Sequence, residues 1–169
     1  MDERFLKFVD NVLITEGGYV DDPRDPGGET KFGISKRRYP ALDIKNLTRD
    51  EAVNLYYTDF WAMYSYGKIK DDRIAEKVFS LCVNMGAATA HTLLQIAVNS
   101  AYLQMKRQGW EGFASIHVDG IIGAETIDAI NQFSDPQLIL DKYRIRAARY
   151  YLSLNKQRFE RGWLIRALV

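Results

Sequence analysis

Glu16-Gly17-Gly18-Tyr19 separates the first helical pattern of the chain from a stretch rich in Pro, Gly and Asp. Upstream, Phe5, Phe8, Val9, Val12 and Leu13 recur at helical spacing, so residues 3 to 15 read as an amphipathic helix. Gly17-Gly18 stops it, because glycine enters the left-handed conformation that ends helices. Glu16 therefore falls in or just after the last turn. The partial negative charge of a helix C-terminus disfavours an ionised carboxylate there, which is one way to keep a glutamic acid protonated. Downstream, Asp22-Pro23, Asp25-Pro26 and Gly27-Gly28 fix turns, and Thr30-Lys31-Phe32-Gly33-Ile34 alternates as a short strand. Residues 19 to 35 are expected to form a small hairpin-like lobe.

The remainder is helical. Leu47-Thr48-Arg49-Asp50-Glu51 carries a capping box, Thr48 with Glu51, and predicts a helix from Arg49 to Met63. Further helices are expected over Asp72 to Asn84, Ala88 to Arg107, Ala124 to Phe133 and from Asp135-Pro136 to Ser153, with Pro136 at the first helical position. The segment after Asn155 is expected to be too short to stand alone, with Trp163 packing back onto the body. The fold class is mainly α with a small β-hairpin lobe near the N-terminus.

A chain of 169 residues is of single-domain size or slightly more. A net charge of +1 argues against a strongly electrostatic nucleic-acid binder, whose footprint is basic. Cys82, the only cysteine, lies among Phe79, Leu81 and Val83 and reads as a buried small hydrophobe. His91 and His117 have no partner at zinc-site spacing, and neither metal nor cofactor is expected. Met1-Asp2-Glu3-Arg4 lacks the order of a signal peptide, and no apolar run approaches membrane-spanning length. The expectation is a protein made in the cytoplasm, without stable membrane insertion.

Glycoside hydrolysis needs an acid for the leaving oxygen and a second group that activates water or stabilises the sugar cation. Glu16 suits the first role. Asp25, in a polar turn-rich loop, suits the second, with Thr30 placed to hold the attacking water. Asp21, Asp22 and Glu29 compete with Asp25. The plain alternative is that Glu16 only ends a helix and the Asp-Pro pairs only make turns. Tyr56, Tyr57, Phe60, Trp61, Tyr64 and Tyr66 fall largely at core spacing; Trp61 and Tyr64, with Tyr19, are the candidates for sugar contact. Lys36-Arg37-Arg38 and Arg144, Arg146 and Arg149 read as solvated basic faces that would also attract a carboxylate-rich polymer.

Glu16-Gly17-Gly18-Tyr19, Asp25-Pro26-Gly27-Gly28-Glu29-Thr30 and Phe32-Gly33-Ile34-Ser35 together resemble the N-terminal signature of glycoside hydrolase family 108. The similarity continues through Glu51-Ala52-Val53, Tyr56, Tyr57, Phe60, Trp61, Phe79, Val83-Asn84-Met85-Gly86 and Leu94-Gln95. It implies a lysozyme-like helical fold, cleavage of the β-1,4 bond between N-acetylmuramic acid and N-acetylglucosamine, and Glu16 as the catalytic glutamate. The gap from Glu16 to Asp25 also resembles that of phage-type lysozymes, whereas Asp25 to Thr30 is one residue shorter than their pattern. Ser80 stands where the family pattern leads one to expect Asp.

Asp119-Gly120-Ile121-Ile122-Gly123-Ala124-Glu125-Thr126 resembles the turn of small helical peptidoglycan-binding modules. Its glycines also suit a purely structural turn. The expected division is residues 1–86 for a catalytic region and 87–169 for a peptidoglycan-binding-like region. The expected function is that of a muramidase acting on the cell wall. The alternatives are a lytic transglycosylase and a non-catalytic wall-binding protein. The resemblance implies peptidoglycan strands as partner and, for a phage or prophage endolysin, a membrane-pore protein for release.

Overall fold

A computed structural model describes residues 1–16, 18–21, 28–112 and 114–169, with residues 14–16, 157 and 158 as backbone only. The chain falls into two compact units, Met1–Met63 and Tyr64–Val169.

In the first unit, α1 (Glu3–Glu16) buries Phe5, Phe8, Val9, Val12 and Leu13. The hairpin consists of β1 (Thr30–Lys31) and β2 (Ile34–Ser35), antiparallel, with Thr30 opposite Ser35 and Lys31 opposite Ile34. Two strands stand where one was expected, because Phe32 and Gly33 turn the chain with φ of 54° and 75°. Positive φ at both central residues is the condition for a tight hairpin turn that follows strand twist. The Tyr56 hydroxyl donates to the Phe32 carbonyl at 2.8 Å and pins this turn.

Helix α2 (Arg49–Tyr56) begins at the expected capping box, with Thr48 Oγ1 accepting from the Glu51 N–H and Glu51 accepting from the Thr48 N–H. The expected helix to Met63 does not stay α. From Tyr57 to Ala62 it widens into a π-helical segment. Thr58 Oγ1 lies 3.0 Å from the Asn54 carbonyl, and such back-bonding by a hydroxyl disturbs the α ladder. The segment buries both Phe60 and Trp61. Trp61 packs on Phe5 and Phe8, each at 5.8 Å between ring centroids.

The second unit comprises a 3-10 turn (Tyr66–Lys68), α3 (Asp72–Met85), α4 (Ala87–Arg107), α5 (Ala124–Gln132), α6 (Pro136–Ser153) and α7 (Gln157–Leu168). Its main packing surfaces join α4 to α6, α6 to α7 and α3 to α4. Fully buried Tyr143 donates to the Ala90 carbonyl at 3.0 Å, and Tyr151 donates to Asn84 at 2.7 Å, so both phenols satisfy their polar tips inside the bundle. Cys82 is buried as expected. The mainly α class with a small β lobe is what the described residues display.

One sequence expectation changes in this unit. The segment after Asn155 is a full helix, α7, which packs on α6. Its Trp163 stacks between Tyr151 and Phe159 at 5.2 and 5.5 Å, so its ring packs back as expected. By packing alone, the boundary between the two compact units falls after residue 63, with α3 resting on α4, α6 and α7.

The last turn of α7 meets two cations. Lys77 of α3, 9% exposed, donates through Nζ to the Arg166 carbonyl at 2.8 Å. Arg144 of α6 donates to the Val169 carbonyl at 2.6 Å. These are carbonyls that a helix end cannot satisfy itself. Burial, reinforced by Arg144 and Arg166 against a pull from Glu76, pushes the Lys77 pKa down to about 8. The folded pKa lies below the ordinary 10.5, so between these two values the unfolded chain binds more protons. Stability contributed by this site therefore rises with pH across that window. Denaturation midpoints should rise from about pH 8 to about pH 10, and Lys77→Met should flatten the rise. An unaltered slope in the variant would assign the effect to other groups.

Candidate active site

Helix α1 delivers Glu16 as its last residue, which fixes the backbone position of the proposed acid; its side chain, like all of Asp25, lies outside the described residues. After it the chain runs to Val20, which forms an antiparallel bridge with Thr30 through two 2.8 Å backbone hydrogen bonds. The bridge joins chain positions that flank Asp25 in sequence. Thr30 stands at this bridge and donates its hydroxyl to the Gly28 carbonyl at 3.2 Å, leaving oxygen lone pairs for another donor.

Tyr19 precedes the bridge and is 40% exposed. Partial burial first, then the charges of Glu29, Asp21 and Asp43, raises its pKa above the ordinary tyrosine value. It remains a hydrogen-bond donor at neutral pH. Asp43 is held below the usual carboxylate range by hydrogen bonds from the Asn46 side chain and backbone.

Trp61, expected as a sugar contact, is 2% exposed and its indole N–H donates to Asp2 at 3.0 Å. Sugar stacking needs an accessible ring face, so the place of Trp61 is in the core. Tyr64 belongs to the second unit, half-buried, with its ring 4.8 Å edge-on to His91 and 5.7 Å from Tyr66. His91 is also bonded at both ring nitrogens, to the Tyr66 hydroxyl at 2.6 Å and the Gly120 carbonyl at 3.0 Å. Burial lowers the pKa of His91, which favours the neutral ring this pairing needs.

The Asp119–Thr126 turn has a structural cause. Gln95 of α4 accepts from the Asp119 and Gly120 N–H groups at 3.1 and 2.8 Å. Its amide nitrogen lies 2.8 Å from Asp119 Oδ1, 3.0 Å from the Ile121 carbonyl and 3.2 Å from Thr126 Oγ1. Gly120 has φ of 76°, and a Cβ there would lie 3.1 Å from Thr92 Oγ1 and 3.3 Å from the Ala88 carbonyl. Asp119 is held below the usual carboxylate range, first by the Gln95 hydrogen bond.

Sequence reasoning missed one polar group in the first unit. The Tyr39 hydroxyl donates to Asp59 Oδ2 at 2.7 Å, and Thr58 Oγ1 lies 2.9 Å from Asp59 Oδ1. The Arg38 guanidinium lies over the Phe60 ring at 4.4 Å and over the Tyr39 ring at 5.7 Å. The available signal was Thr58, a residue poorly suited to a helix interior beside a surface carboxylate.

Residues 9–86 match the model of the Glycosyl hydrolase 108 family, and residues 103–168 match that of the Predicted Peptidoglycan domain. Among solved structures, SagA of Brucella abortus is similar in fold at TM-score 0.75 and 24% identity, covering 96% of this chain and 88% of that one. No curated protein matches. Among the described residues, no helix is long and apolar enough to cross a membrane.

Proposed function

From the premise that this chain joins a glycosyl hydrolase 108 domain (residues 9–86) to a peptidoglycan domain (residues 103–168), we propose that it is a muramidase. The two memberships make it a glycoside hydrolase that acts on the peptidoglycan of the cell wall. The finer assignment is cleavage of the β-1,4 bond between N-acetylmuramic acid and N-acetylglucosamine. One observation carries it: the family match contains Glu16, the last residue of α1, and the Val20–Thr30 bridge that follows it.

In the proposed reaction Glu16 gives its proton to the glycosidic oxygen as the bond from muramic C1 breaks. Positive charge develops at C1, and Asp25 stabilises it or takes a proton from the attacking water, with Thr30 orienting that water. The water oxygen becomes the C1 hydroxyl of the new reducing end and keeps one proton, while its other proton passes to a carboxylate and restores the acid form of Glu16. Tyr19 on the first unit and Tyr64 on the second are each a proposed sugar contact. The functional division proposed is residues 1–86 for cleavage and 87–169 for wall binding. An endolysin role, with release through a membrane-pore protein, belongs to the same proposal.

Mass spectrometry of products from purified peptidoglycan tests it. Reducing muramic-acid ends are expected. Anhydro-muramic ends would move the assignment to a lytic transglycosylase, and uncut strands from folded protein would leave a wall-binding protein.

A further inference from the structure

We propose that Arg38, Tyr39 and Asp59 form a sugar-binding subsite on the first compact unit, taking the hydroxyl and acetamido groups of one uncharged saccharide of a glycan strand. The assignment of a glycan as ligand rests on the hydrolase function proposed above.

The three side chains lie side by side. The Arg38 guanidinium lies over the Tyr39 ring at 5.7 Å, and the Tyr39 hydroxyl donates to Asp59 at 2.7 Å. Burial and the Asp59 bond push the Tyr39 pKa up to about 12, so this phenol keeps its proton and its direction as a donor. Arg38 is exposed, while Tyr39 and Asp59 are half-buried, so all three reach solvent from a fixed setting.

The inventory of polar atoms leaves groups for a ligand. A carboxylate offers about four acceptor positions. Tyr39 takes one at Oδ2, and Thr58 shares its single proton among Oδ1 and the Asn54 and Leu55 carbonyls. A guanidinium has five N–H donors. Among the described residues, no carboxylate forms an ion pair with Arg38. Its plane is held over Phe60, which fixes the direction of its remaining donors.

Charge selects the ligand class. One guanidinium and one carboxylate bracket the phenol, so an anion meets repulsion from Asp59 and a cation meets repulsion from Arg38. A neutral molecule with closely spaced donors and acceptors, which describes a pyranose with hydroxyl and acetamido groups, uses both. The Asp59 backbone lies in the π-helical segment, a local distortion that recurs at functional sites.

A tetramer of N-acetylglucosamine serves as probe, titrated into wild type, Asp59→Asn and Arg38→Gln by calorimetry, beside steady-state kinetics on soluble glycan strands. Loss of a hydrogen bond to a charged group predicts about tenfold weaker oligosaccharide binding and a similar rise in KM, with kcat within about twofold. A merely structural bond between Tyr39 and Asp59 would change melting and leave KM in place. Arg38→Gln, at an exposed residue, decides the matter if Asp59→Asn does not fold. Unaltered oligosaccharide affinity in both variants overturns the subsite, as does a fall in kcat at constant KM. Tightening only on muropeptides that carry carboxylates would also overturn it. Wild type that binds the tetramer and cleaves nothing would instead sink the hydrolase assignment and leave the subsite standing.

Discussion

Glu16→Gln should lower peptidoglycan cleavage about a thousandfold, with thermal melting unaltered, because a positioned general acid contributes roughly 10²–10⁴ in rate. Glutamine keeps the size of the side chain and its capacity to hydrogen-bond, but it has no proton to give the departing oxygen. The position supports a low structural cost. Glu16 is the terminal residue of α1, and the buried face of that helix is carried by Phe5, Phe8, Val9, Val12 and Leu13. Release of reducing ends from purified peptidoglycan measures the rate, and circular dichroism melting controls for folding. Retention of more than about a tenth of the wild-type rate would remove Glu16 from the acid role.

Gln95→Leu should destabilise the second unit by about 3–5 kcal/mol, a large share of the roughly 5–15 kcal/mol that holds a domain folded. Leucine fills a similar volume, so the cost is polar. The Asp119 and Gly120 N–H groups lose their acceptor, and Thr126 Oγ1 loses its contact with the Gln95 amide. Each group left unsatisfied costs about 1–3 kcal/mol, toward the lower end where water reaches it. Gln95 is 1% exposed, so water cannot replace the side chain without opening the bundle. Urea denaturation gives the number, and a loss below about 1 kcal/mol would mean that the turn holds itself. Wall binding by a variant that remains folded would then report on the turn apart from its anchor.

Much of the helical framework was legible because its signals are local. Thr48 with Glu51, and Asp135 before Pro136, mark helix starts within a few residues, and both caps form as expected. The π-helical segment was hidden because Tyr57, Phe60 and Trp61 suit a continuous α stripe equally well. Helix α7 was hidden for another reason: its stability comes from packing on α6 and from the Lys77 and Arg144 donors, 89 and 25 residues away from the oxygens they meet. The same distinction governs the site. Glu16 was legible as the point where the helical period stops. The Tyr39–Asp59 hydrogen bond joins residues twenty apart, and no periodicity or spacing reports such a pair. Trp61 was misjudged because an aromatic residue beside a cleft motif has the same sequence appearance as one in the core behind it.

Helix α3 has a consequence for how such proteins exchange parts. The hydrolase match runs through it to residue 86, yet α3 packs with the helices that follow. Recombination at residue 86 would transplant a rear half stripped of one of its supports, exposing Val78, Phe79 and Leu81 of the half left behind. A crossover between residues 63 and 64 would carry α3 intact with its partners. Viable chimeras between relatives are therefore expected to inherit α3 from the donor of the rear half, so that ancestry along the chain changes ahead of the boundary suggested by sequence families.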